Sequence, residues 1–236
     1  MSESITPFLL VFLSVDAVAL FCLLWYLIRR ETKRKKVLHY GDKAEESVAQ
    51  TIREEFPGSV LFNDVYFTMP NGNTTQIDHI LLCKWGVFVI ETKSHNGKIN
   101  IGKKDWVQMY KDKVVYFHSP VLQNEAHQKA LTRVLKQNRQ TKNFEVKGVV
   151  VFTSLHVHFS QNVPGVVRLR ELGPYIKNGE RRAPRGAAVT ASPGKKYLTR
   201  SNINALEKQI RRHCDKSPSR RKRHDKAMRG RNRNVI

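Results

Sequence analysis

At 236 residues the chain is long enough for one ordinary domain with a real core, plus appendages. Its net charge of +22 is unevenly spread: residues 29–36, 177–200 and 211–236 carry +5, +6 and +9, and the remainder is almost neutral. Such basic flanks attract nucleic acid or anionic lipid without sequence specificity, or are simply solvated. Cys22, Cys83 and Cys214 have no framework spacing, which argues against a disulfide-stapled secreted domain and a thiolate metal site and fits a reducing compartment.

Behind a short N-terminus, 1–7, the run 8–28 (FLLVFLSVDAVALFCLLWYLI) holds a single charge, Asp16. As a helix it is long enough to cross roughly 30 Å of hydrocarbon. Glu3 and the lack of Lys or Arg ahead of it, with no small-residue cleavage site behind, argue against a removable signal peptide. The basic cluster RRETKRKK follows at once, so the positive-inside rule places the N-terminus outside and everything after residue 28 in the cytoplasm. Trp25 and Tyr26 stand where an interfacial aromatic belt would lie. Residues 8–28 are therefore expected to be a single-pass anchor in the cell membrane, followed by a basic juxtamembrane linker, 29–40.

Residues 41–56 have helical spacing, with Ala44, Val48, Ile52 and Phe56 on one stripe and Glu45 at its edge. Pro57-Gly58 ends that helix. A strand over 60–68 and a turn at 70–73 lead to two apolar runs, 77–82 and 87–92, with a turn signal at Trp85-Gly86. Short strands are expected at 98–102, 106–110 and 114–117. Ser119-Pro120 opens a helix over about 121–140 whose apolar side is Leu122, Ala126, Leu131, Val134 and Leu135. A buried strand at 147–152, another at 166–169 and a short helix at 172–178 complete a mixed α/β domain over 41–176. Residues 177–236 read as a basic low-complexity tail with one short helix at 201–213; after Cys214 apolar residues almost vanish and disorder is expected.

The central hairpin carries the chemistry. Centred between Lys84 and Trp85, it brings Asp78 almost opposite Glu91, and Lys93 lies two residues on, on the same face of its strand as Glu91. Two carboxylates so close repel unless a proton or a cation sits between them. A divalent metal held by Asp78 and Glu91, with Lys93 beside it, explains the arrangement economically.

In these elements the chain resembles the nuclease-related domain (NERD) family, itself similar to the restriction-endonuclease-like PD-(D/E)xK group. The matching residues run in order: Gly41 and Glu45; Asn63-Asp64-Val65; Gln76-Ile77-Asp78-His79; Gly86 to Lys93; Gly97; Trp106; then Pro120, Gln123 and His127. Ser119 stands where the family usually has Asn, and Ser94-His95 follow Lys93 where Asn is frequent. The resemblance implies a restriction-endonuclease-like mixed sheet flanked by helices, and a nuclease centre. Asp78 and Glu91 would hold Mg²⁺, with Mn²⁺ an alternative, and Lys93 would orient or deprotonate the attacking water or neutralise the developing charge. Glu45 would hold a second ion or a metal-bound water, and Gln123 would position the scissile phosphate or the lysine. His79 is read as structural because it points to the face opposite Asp78, and Trp106 as core packing.

The expected function is a membrane-anchored, Mg²⁺-dependent nuclease acting on DNA, with RNA the alternative substrate. The competing readings are a non-catalytic module that tethers nucleic acid to the membrane, and a surface organiser whose basic segments bind anionic lipid. No interface pattern for an oligomer is found.

Overall fold

The computed structural model describes the backbone of residues 6–178 and 197–214 and, within the first helix, the side chains of 20–32 and from Tyr40 onward. The chain divides into two compact units between Lys43 and Ala44.

The first unit is helical. Helix α1 covers Thr6–Glu55, so the stretch 29–40, expected as a linker, is helical as well. Nothing in RRETKRKKVLHY breaks a helix: it has no Pro or Gly, and Lys and Arg are good helix formers. The apolar side chains described between Leu20 and Ile28 are exposed, and the Arg29 guanidinium lies 4.9 Å from the Trp25 ring centroid. Among the described residues no helix is long and apolar enough to cross a membrane. Most side chains of the expected span 8–28 fall outside them.

The second unit begins with the last turns of α1, whose stripe of Ala44, Val48 and Ile52, with Phe56 just beyond, is buried as the spacing predicts. Gly58 then turns the chain at φ +75°, a conformation that favours glycine. Strands β1 (Val60–Thr68), β2 (Thr74–Cys83) and β3 (Gly86–Lys93) form an antiparallel meander. Strands β4 (Gly97–Asn100), β5 (Asp105–Tyr110) and β6 (Lys113–His118) form a second one. Helix α2 (Pro120–Lys136) crosses back to β7 (Val146–Phe152), parallel to β3. After β8 (Val157–Phe159) and β9 (Val166–Arg168), a 3-10 turn leads to α3 (Leu172–Asn178), and α4 (Arg200–His213) ends the described chain. The five-stranded sheet has the order β1-β2-β3-β7-β9 and the four-stranded sheet β6-β5-β4-β8.

The large sheet is covered on both faces, as near-continuous apolar strands require. Val87 and Val89 pack with Leu131 and Leu135 of α2, while the alternating Phe88 and Ile90 pack with Val48 and Ile52 of α1 and Ile176 of α3. Trp106 is core packing, stacked on Phe152 at 6.2 Å and 6°.

Three expectations need correction. Helix α4 is part of the domain and not of the tail: Ile203, Leu206 and Ile210 are buried in the same cluster as Leu131 and Phe62, so the domain extends past residue 176 to at least Ile210. Its i, i+3, i+7 apolar spacing was legible, but the surrounding charge masked it. Helix α2 stops at Lys136, and Leu122 and Ala126 are exposed rather than inward. Strand β8 was missed because three residues pairing in parallel with β4 carry no period. The expected disorder of 215–236 lies outside the described residues.

Candidate active site

The hairpin register puts Cys83 opposite Gly86 and His79 opposite Ile90, so the turn centres between Lys84 and Trp85 and the next pair would be Asp78 with Glu91. The β2–β3 ladder stops before that pair. On its other side the β1–β2 ladder joins Asn63 to His79 and Val65 to Ile77 but leaves out Asp64, whose backbone sits at φ 54°. Asp is among the residues that tolerate this left-handed region. Asp78 therefore occupies the point at which the sheet opens on both sides. Two side-chain links brace it: Gln76 Nε2 donates to Asp64 Oδ1 at 2.8 Å, and His79 Nδ1 lies 2.9 Å from Asn63 Oδ1. His79 is buried, and its desolvation lowers its pKa to about 4, so it stays neutral as a structural residue should.

Freed from the ladder, Asp78 Oδ2 accepts the Thr92 backbone N–H at 2.8 Å. Burial raises its pKa well above the usual carboxylate value, and the charges of Glu91 and Glu45 add to that, against the Thr92 hydrogen bond and Lys93. Glu91 is buried, 2 % exposed, and its Oε1 accepts from Lys93 Nζ at 2.6 Å. Burial alone would raise its pKa, but Lys93 and then His127 outweigh that and the net shift is downward. For Lys93, burial would lower the pKa, but Glu91, Asp78 and Glu45 reverse it, so the ammonium is held charged. The environment thus pushes the two carboxyls apart: Glu91 ionised, Asp78 inclined to keep a proton.

Helix α2 supplies the other wall. Ser119 caps it, its Oγ accepting the Leu122 N–H at 3.4 Å, and Asn124 Nδ2 donates to Val89 O at 3.3 Å, clamping the first turns onto β3. A Cβ on Gly148 of β7 would collide with the Gln128 side chain and come within 2.9 Å of Asn124 Nδ2, so glycine lets the helix seat there. Gln123 Oε1 accepts from Lys93 Nζ at 3.2 Å. One turn on, His127 Nε2 lies 3.3 Å from Glu91 Oε2, and its Nδ1 lies 2.9 Å from Thr75 Oγ1. The His127–Glu91 approach lacks hydrogen-bond alignment, so Glu91 Oε2 and His127 Nε2 are both buried with unspent capacity.

Asp78, Glu91, Lys93 and Gln123 are thus brought together by direct contacts and charge, while half-buried Glu45 acts on Asp78 and Lys93 through its charge from α1. Among the described residues no three His, Cys, Asp or Glu side chains gather as a metal cage. Sequence reasoning gave His127 no role; its signal was the i, i+4 spacing from Gln123, which puts both on one helix face. His95 stacks on Phe117 at 4.1 Å with its Nδ1 buried and unpartnered, and burial, then Lys93, lowers its pKa to about 4.

Residues 40–153, a little under half of the chain, match the family described as the nuclease-related domain (NERD). The chain is also similar to an uncharacterised protein of Bacillus anthracis, 38 % identical over 101 residues, which are 41 % of this chain and 47 % of that protein. The chain thus spans about half the length of this relative. No solved structure matches it.

Proposed function

We propose that the domain is a metal-dependent phosphodiester hydrolase of the PD-(D/E)xK kind acting on DNA, with RNA the alternative substrate. The match of residues 40–153 to a nuclease-related family supports the reaction class. The observation that carries it is the Asp78–Glu91 pair beside Lys93. Burial and then the charge of Glu91 raise the Asp78 pKa, and Glu91 keeps a buried oxygen without a hydrogen bond, as in a carboxylate pair shaped to share a cation. Mg²⁺ or Mn²⁺ fits such a set, since one or two carboxylates bind it while waters and substrate phosphates complete its shell. Asp78 and Glu91 would hold it, with Glu45 beside them. When bound, such an ion lowers the pKa of a water and stabilises charge on the transferring phosphate.

The residues of the chain supply the rest. Lys93, held protonated, acts as a donor that orients the water or neutralises developing charge, in preference to abstracting a proton. Its side chain is 18 % exposed, and Gln123 fixes the direction of its ammonium. The basic segments outside the domain raise the local concentration of nucleic acid. Residues 8–28 hold the protein in the cell membrane with the domain on the cytoplasmic side, a reading supported by the run's length and apolarity and by the Arg29–Lys36 cluster behind it.

The test uses the full chain in detergent with plasmid and single-stranded DNA, in Mg²⁺, Mn²⁺ or EDTA, beside Glu91→Ala and Lys93→Ala. Cleavage that needs metal and disappears in both variants is the expected result. The competing reading is a non-catalytic tethering module. Tight binding without cutting, unchanged in the variants, would establish it. Deleting residues 8–28 is expected to release the protein from sedimented membranes.

A further inference from the structure

A recess lies at the other end of the central hairpin from the Asp78–Glu91 site. It is a cleft of about 520 Å³ lined by Phe56, Trp85, Lys84, Lys177, Arg200 and Glu55 among others, and it shares no residue with the Asp78–Glu91 site. Its size is that of a small-ligand pocket, roughly 300–1,000 Å³. Strand β3 runs from Gly86 to Lys93, so roughly 20 Å of strand separates the two.

The cleft is built, not incidental. Its wall is the two-residue hairpin turn Lys84-Trp85, closed by Gly86 at φ 144°. The indole there packs edge-on against Phe56, ring centroids 5.4 Å apart, and Lys84 Nζ lies 4.4 Å from the Trp85 ring. The Leu198 N–H donates to Lys84 O at 2.9 Å, tying the approach to α4 onto the turn. Arg200 Nη1 donates to Gly58 O at 3.0 Å, and Lys177 Nζ donates to Glu55 Oε2 at 2.8 Å. Glu55 is the one carboxylate among the described lining residues, against three cations. The N-terminus of the 14-residue α4 opens at the same rim and adds the positive end of its dipole.

The geometry points to a binding site for a nucleotide, free or at the end of a nucleic-acid strand. The half-buried Trp85 indole beside clustered cations matches a base joined to a phosphate. Lys177 is already paired with Glu55 and Arg200 with Gly58 O, so the exposed Lys84 beside the half-buried Trp85 is what a phosphate and its base would meet. The site is independent of the hydrolytic centre and stands whether or not that centre cuts.

The experiment is calorimetric titration of the full chain in detergent and EDTA, with 5′-AMP, inorganic phosphate and a 5′-phosphorylated thymidine tetranucleotide as probes. Lys84→Glu, Trp85→Leu and Glu91→Ala are measured in parallel, with thermal melts to show that each is folded. AMP is expected to bind, to lose about tenfold or more in affinity in Lys84→Glu and Trp85→Leu, and to be unaffected by Glu91→Ala. Tighter binding of the tetranucleotide than of AMP assigns a strand end; equal binding assigns a free nucleotide. Lys84 is exposed, so its variant tests the cleft without testing the core. No AMP binding, AMP affinity unchanged in a folded Lys84→Glu, or phosphate binding as tightly as AMP overturns the proposal. Because binding is read in EDTA, failure of the nuclease reading leaves this result intact, and the reverse holds.

Discussion

In its later turns α2 buries Ala130, Leu131, Val134 and Leu135, whereas in its first two turns the inward residues are Gln123, Asn124 and His127 and the apolar Leu122 and Ala126 face outward. The C-terminal half joins a cluster with β1, β2, β3 and α4. The N-terminal half touches Lys93, Val89 and Glu91. One helix thus serves two masters: its second half should govern stability and its first half chemistry. Buried polar groups contribute little net stability, but they fix geometry where they are satisfied.

The sharpest break of that comparison comes from the site itself. Glu91→Gln keeps the shape of the side chain and removes its charge; cleavage is expected to fall by roughly a hundred- to a thousand-fold, measured on plasmid in Mg²⁺. In the other half, Leu131→Ala should lose about 2–5 kcal/mol of stability, read as a lower denaturant midpoint, while the folded protein cuts as before. A comparable loss of cutting by folded Leu131→Ala would erase the distinction between the halves. His127→Ala tests the polar half more finely. Metal affinity is expected to drop about ten- to a hundredfold, titrated with Mn²⁺, and Asn or Gln at 127 should recover more of it than Ala.

Asp78 gives a pH signature of opposite sign to most carboxylates. Its folded pKa lies above the unfolded one, so its contribution is fully present below the unfolded carboxylate pKa and is lost as pH rises through the folded pKa. In EDTA, Asp78→Asn should melt above wild type at pH 8, with the difference closing towards pH 4. Wild type melting higher across that range would contradict the assignment. At the bottom of the scale, Leu122→Ser on the outward face should stay within about 0.5 kcal/mol of wild type.

The same division explains what was legible in the sequence. The apolar runs of β2 and β3 and the stripe of α1 place a buried three-layer core, and the turn fixes the register of Asp78 against Glu91. Periodicity failed where function replaced apolar side chains with polar ones, as at Asn124 and His127, because hydrophobic spacing is blind to a buried polar wall. It failed again at α4, where Ile203, Leu206 and Ile210 were legible as a stripe but were outweighed by Arg and Lys around them. Glu45 was placed on the right helix edge, though its influence is visible only through neighbouring charge.

Helix α4 also sets the order of events during synthesis. Ile203, Leu206 and Ile210 close the cluster that holds β1, β2, β3 and α2, and they stand far beyond residue 153, where the family match ends. Chains emerge from the ribosome N-terminus first and fold as their partners become available. The nascent domain therefore carries Phe62, Ile80 and Leu131 incompletely covered until Ile210 has been translated, and a message truncated after β7 would yield a product lacking the lid of its own core and prone to proteolysis.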